Sequence, residues 1–256
     1  MNKYRILQFL FFLLFCTGAG LLLHHLVIVP ERNQKNIEAL KEEFSEDASG
    51  DPSPEGEDPL PSGEEGGIGS VDLLALQSRY PDIKAWITIP DTGIDYPVLQ
   101  SKEEEPEFYL THDYRKEYDA NGSLFFQADC DLKKSENLVI YGHNMNSGAM
   151  FGRLDSYTDA AYCREHPAIW LLTPEGEAAY EIVSVTKADP SMLPFTQVDF
   201  PGHDGILSYV DQAKRMGLFE TGVSQPYYEQ TLTLVTCSYE WKEARTVVVA
   251  VKKTAE

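Results

Sequence analysis

A cysteine closes the alternating run Thr233-Leu234-Val235-Thr236-Cys237, and eight residues later Arg245 opens a second run, Thr246-Val247-Val248-Val249-Ala250-Val251. A thiol at the mouth of a sheet is a candidate nucleophile, and a guanidinium beside it is a candidate anion binder. His143 ends a third run, Leu138-Val139-Ile140-Tyr141-Gly142-His143, so another reactive group falls at a strand end. Attack on a carbonyl needs a thiolate, a proton-transfer partner and donors for the oxyanion, and these three side chains supply all of them. An imidazolium lowers a neighbouring thiol from its free pKa of about 8.5 and can later protonate a leaving amine. The backbone N–H of Ser238, next after the thiol, is a second candidate oxyanion donor. Taken singly, a strand-end cysteine is more often a small buried hydrophobe, and a strand-end arginine a solvated charge.

The other cysteines are Cys16, Cys130 and Cys163, and none shows the C-x-x-C spacing of a metal site. No Gly-rich phosphate loop is present either, so no metal and no cofactor is expected. Cys130 and Cys163 are candidates to pair, which would leave an odd thiol in the soluble part, and Cys237 best fits a reactive one. His112, His166 and His203 sit in polar, turn-like surroundings, and only His112 offers an alternative proton-transfer group.

Positioning such groups requires a folded core, and 256 residues with 43% apolar content are enough for one sizeable domain plus appendages. A formal charge of -20 argues against nucleic acid and anionic surfaces as partners. The acidity is concentrated between Glu31 and Ser70, which hold 12 acidic residues against 3 basic ones. That composition, with Pro and Gly clusters, predicts an extended, self-repelling linker over 31–70, with room for a short helix around Asn36–Phe44. Before it, Ile6 to Val29 is an almost wholly apolar run, long enough as a helix to span about 30 Å of hydrocarbon. A cleaved signal peptide is the competing reading, but its apolar core is shorter and no small-residue cleavage site follows. Residues 1–30 are therefore expected to be a cytoplasmic tip and single-pass membrane anchor. Lys3 and Arg5 orient it with everything after Pro30 outside the cell. His24 and His25, at its outer end, are given no function.

Residues 71–256 read as the catalytic domain. Val71–Tyr80 has helical spacing, and 85–89 and 94–99 flank a Pro90-Asp91-Thr92-Gly93 turn as a hairpin. Further strands are expected at 122–126, 137–141, 169–173, 179–186, 231–236 and 246–252, and a helix at 204–218 ending near Gly217. Roughly eight short strands predict a mainly β barrel or sandwich with peripheral helices.

The Thr-Leu-x-Thr-Cys pattern at 233–237, Arg245 leading into Val-Val-Val-Ala, and Tyr-Gly-His at 141–143 together resemble the sortases, surface cysteine transpeptidases of Gram-positive bacteria. The likeness continues upstream through Trp86 to Val98 and Gly122 to Phe126, and covers nearly all of 71–252. It resembles class B in particular, with an N-terminal helix and a long helix before the cysteine strand. Ser238 follows the cysteine where some class B members carry an acidic residue. The resemblance implies an eight-stranded barrel, a His143–Cys237–Arg245 site, and cleavage after Thr of an Asn-Pro-x-Thr-Asn/Gly-like C-terminal sorting signal. The thioester on Cys237 would then pass to an amine of cell-wall peptide or to a protein lysine. The implied partners are secreted proteins bearing such a signal, with Thr111, Tyr141 and Leu193 as substrate contacts. Two alternatives stay open at this stage: a membrane-anchored thiol hydrolase, and a catalytically silent surface-binding module.

Overall fold

The computed structural model describes residues 3–23, 29–45, 67–68, 71–202, 204–225, 227–238 and 243–253. Its strands are β1 Ile83–Ile89, β2 Ile94–Gln100, β3 Leu124–Phe126, β4 Asn137–Tyr141, β5 Ala168–Thr173, β6 Gly176–Ala188, β7 Thr231–Cys237 and β8 Arg245–Lys252. They close in the order β1-β2-β3-β4-β7-β8-β6-β5, with β5 pairing back onto β1. The mainly β, eight-stranded barrel expected from the sequence is the architecture observed. The hairpin between β1 and β2 turns where Asp91 and Gly93 take φ of 62° and 77°.

Two junctions are parallel, β2 with β3 and β4 with β7, and a parallel pair needs a long crossover. The crossover from β4 to β7 carries β5, β6 and the helix Gly205–Met216, flanked by Asp204 and Gly217 as the sequence expects. Alternation along the strands then sorts side chains into two cores. Leu138, Ile140, Leu232, Leu234, Val248 and Ala250 join Trp86 and Phe126 in the larger core. Val139, Val235, Val247 and Val249 face the other way, against Ile206, Tyr209, Val210 and Ala213 of the long helix. The interior of an eight-stranded barrel is just wide enough for its own side chains, so the helix packs on the outside and this second core is the outer layer.

At the N-terminus lie α1 Lys3–Leu23, α2 Val29–Glu43 and α3 Leu73–Arg79, followed later by α4 Ala160–Glu165; the long helix is α5. Among the described residues no helix is long and apolar enough to cross a membrane. Positions 24–28 of the expected anchor, with His24 and His25, lie outside them, as does His203. Within α1, Phe9, Phe11, Phe12, Leu14 and Phe15 are 64–71% exposed.

The expected linker is not extended at its start. Asn33, Ile37 and Leu40 recur at helical spacing on α2 and are buried, while Lys41 pairs with Asp95 at 2.6 Å. Two buried apolar residues and Asn33, whose amide donates to Asp119 at 2.8 Å, thus outweigh the segment's charge. Ser45 bridges Val71, and the Asp72 N–H donates to the Phe44 carbonyl at 2.7 Å, so the chain on either side of 46–70 is joined. The helix α4 has no counterpart in the sequence reading; it is a six-residue turn capped by Asp159. Cys130 and Cys163 are not paired but are separate buried thiols. Burial pushes them up to about 12 and about 11, so both stay protonated.

The segment after β2 is fastened to the barrel where Tyr109 donates to Asp82 at 2.6 Å and Lys116 pairs with it at 2.7 Å. Burial raises the pKa of Asp82, but the bonds from Lys116 and Tyr109 outweigh it and hold the carboxyl below 3.8. A depressed carboxyl contributes stability that is present above its unfolded pKa and is lost as pH falls through the folded one. Asp82→Asn should therefore lower the thermal midpoint at pH 7, with the deficit narrowing as the pH is taken below 3.8. A deficit that stays constant on acidification would contradict this.

Candidate active site

Cys237 lies directly opposite Arg245 in the antiparallel ladder of β7 and β8. On its other side β4 runs parallel to β7 with Tyr141 level with Val235, and the Gly142 N–H continues the ladder to the Val235 carbonyl at 3.2 Å. His143 follows two residues beyond the end of β4 at Tyr141, as Cys237 follows two beyond Val235. The three side chains therefore come from the ends of three neighbouring strands. With Tyr141, Leu110 and Phe125 they line a cleft of about 290 Å³.

Local packing explains how these strand ends are held. A Cβ on Gly142 would come within 2.4 Å of Leu124 and 2.8 Å of Phe151, so the chain can pass into His143 here only as glycine. Thr236, just before the thiol, donates to the Gly142 carbonyl at 2.7 Å. His143 Nε2 lies 2.7 Å from the Leu110 carbonyl. A carbonyl only accepts, so Nε2 carries hydrogen and Nδ1 is the nitrogen left to exchange a proton. Arg245 is half-buried and uses Nη1 on the Ala244 carbonyl at 3.0 Å. Tyr141 donates to Gln127 Oε1 at 2.7 Å, and burial pushes its phenol up to about 12, so it stays neutral.

Four of the seven residues expected at the site, His143, Cys237, Arg245 and Tyr141, meet in this cleft. The other three do not. The Ser238 N–H donates to the Ala244 carbonyl at 2.9 Å, which closes the β7–β8 connection and leaves that donor occupied. Leu193 is fully buried in the outer core beneath α5, because the β6–α5 connection folds inward there. Thr111 is exposed and bonds to His112 Nδ1 at 3.2 Å; its neighbour Leu110 is the residue that lines the cleft. His112 itself stacks on Phe108 at 4.0 Å and bonds to the Phe108 carbonyl, away from the lining. Glu107 and Gln127 line the cleft without any local sequence signal.

The Sortase domain family matches residues 87–253. The chain belongs to the sortase family. Sortase B of Listeria monocytogenes is 31% identical over 180 residues, 69% of this chain and 72% of that one. Sortase B of Staphylococcus aureus is 27% identical over 180 residues, 70% and 72% of the two chains. The structure of Clostridium perfringens sortase B is similar with a TM-score of 0.65 at 28% identity, covering 71% of this chain and all of that one. These relatives put the chain among the class B sortases, which are cysteine transpeptidases.

The placement of Leu193 separates packing from substrate contact in this sortase. Leu193→Ala should cost about 2–5 kcal/mol in urea unfolding and leave KM unchanged. Thr111→Ala should leave both near their starting values. A raised KM with intact stability for Leu193→Ala would return that residue to the substrate path.

Proposed function

We propose that this sortase cleaves an Asn-Pro-x-Thr-Asn/Gly-like C-terminal sorting signal after the threonine and transfers the new carboxyl end to an amine of cell-wall peptide or a protein lysine. The carrying observation is that His143, Cys237 and Arg245, at the ends of adjacent strands, line one cleft, with Cys237 directly opposite Arg245. Cys237 Sγ attacks the threonine carbonyl carbon, and Arg245 meets the charge that develops on its oxygen. The bond to the next residue breaks as His143 Nδ1 gives its proton to the departing amine, which leaves a thioester on Cys237. An incoming amine then attacks the thioester, His143 takes back a proton, and the thiolate departs.

Cys237→Ala should abolish cleavage of a sorting-signal peptide without loss of fold. Arg245→Lys should lose most of it, since a point charge does not reproduce the planar fork. Mass spectrometry of the wild-type products should find amide adducts when an amine is added. Free threonine carboxylate alone, whatever amine is present, would make the protein a thiol hydrolase. Full activity of Cys237→Ala would refute the cysteine mechanism, and absent cleavage with slow or no alkylation of Cys237 by iodoacetamide in the folded protein would leave it a binding module.

The same proposal includes a single-pass position in the cell membrane, N-terminus inside and barrel outside. Support comes from the apolar run Ile6 to Val29 behind Lys3 and Arg5, of which α1 holds only a part, and from the exposed phenylalanines of that helix, which need an apolar surrounding. Deleting residues 1–28 should move the protein from the membrane fraction to the soluble one. Retention of the truncated chain in washed membranes would refute the anchor.

A further inference from the structure

His143, Cys237 and Arg245 are each followed in sequence by a residue whose side chain enters one hydrogen-bonded cluster. Asn144 Nδ2 donates to the Cys237 carbonyl at 2.9 Å and to Asp155 Oδ2 at 2.8 Å. Ser238 Oγ accepts from Lys187 Nζ at 2.9 Å. Thr246 Oγ1 accepts from the same ammonium at 2.8 Å and donates to Asp155 Oδ1. Lys187 and Asp155 themselves pair at 2.8 Å. Successive strand residues point to opposite faces, so where Cys237 and Arg245 look into the cleft, Ser238 and Thr246 look into the barrel end behind it.

Among the described residues, the ammonium donates to Asp155, Ser238 and Thr246. Lys187 is therefore a three-way clamp, with its side chain only 14% exposed. Asp155 stands on the short turn Leu154–Thr158. Burial raises its pKa, but bonds from Lys187, Thr246 and Asn144 outweigh that and keep it below its ordinary value, hence ionised at neutral pH.

We propose that Asp155 and Lys187 are positioning residues of this sortase: their ion pair ties Asn144, Ser238 and Thr246 together and so fixes the spacing of His143, Cys237 and Arg245. This rests on those three being the reacting groups. A pair that served stability alone would have no cause to converge on the successors of all three, from β6 and from a turn 11, 32 and 91 residues away from its partners. Ion pairs also add little net stability, whether screened at the surface or desolvated inside, and this one lies between, with Asp155 at 40% and Lys187 at 14% side-chain exposure.

That small net stability supplies the test, made on the full-length chain in detergent micelles. Asp155→Ala and Lys187→Met should each lower kcat for the sorting-signal peptide about 10-fold to 100-fold with KM within about two-fold. Iodoacetamide alkylation of Cys237, which needs no substrate, should slow about five-fold or more through the same loss of geometry. The combined variant Asp155→Leu, Lys187→Met should recover the thermal midpoint but neither rate. A folded combined variant with wild-type turnover and alkylation would overturn the proposal and leave the pair as a stabilising contact. If the wild-type protein does not cleave the peptide, the proposed function fails and alkylation alone decides: slowed in the combined variant, it supports positioning; unchanged, it overturns it.

Discussion

Asn137 opens β4 fully buried, and its side-chain oxygen accepts from Thr231 and Thr233 of β7 at 2.9 and 2.7 Å, while its amide donates to the Gln197 carbonyl at 2.8 Å. One side chain thus sets the register of two parallel strands and fastens the crossover between them. A slip of one residue in that pairing would turn every side chain of β4 to the opposite face relative to β7. His143 would then leave the face that carries Cys237. A buried amide has four hydrogen-bonding positions and is costly to strand, so the alternative registers are penalised where the site is most sensitive to them. Thr236 on Gly142 repeats the device at the other end of the pair.

The strand ends carry two kinds of chemistry on their two faces. On the cleft side His143 and Arg245 each hold only one described bond, to the carbonyls of Leu110 and Ala244, and so keep donors or a lone pair for a substrate. On the barrel side the polar groups are consumed by one another. Charged groups withdrawn from water are tolerated when paired and fully bonded, and in return they admit few alternative geometries. The division lets reactive groups stay under-bonded while their backbone stays fixed.

How much of this the sequence discloses follows from the range of the interactions. Hairpin turn, strand runs, the long helix and its flanking Asp204 and Gly217 are local signals, and they appear in the structure near their expected limits. Cys237 opposite Arg245 is also near-local, since eight residues separate them. His143 meets Cys237 only through a parallel pairing across a crossover of some ninety residues, which motif resemblance conveys and periodicity does not. Leu193 and Thr111 follow from resemblance alone, and the side-chain direction that decides their roles is a property of packing. The Asp155 and Lys187 cluster has no signature in the chain, because its members are ordinary surface types until the barrel closes around them. In the acidic stretch a short helix around Asn36–Phe44 is legible but its start at Val29 is not, because composition averages over a window: the buried stripe of Asn33, Ile37 and Leu40 is sparse, and the surrounding charge hides it.

That helix also alters the geometry of the proposed anchor. A linker of forty residues would give the barrel a wide radius of motion above the membrane. With α2 packed on the barrel through Lys41, Ile37 and Leu40, and with Ser45 bridged to Val71, the barrel is joined to α2 directly, so the number of residues between them adds nothing to reach. Only residues 24–28 separate α1 from α2, and at about 3.5 Å per residue they can extend by no more than about 20 Å. An anchored barrel would therefore be held close to its membrane, where a substrate still retained by its own hydrophobic tail has a high effective concentration, and this tether would favour short approaches over long ones.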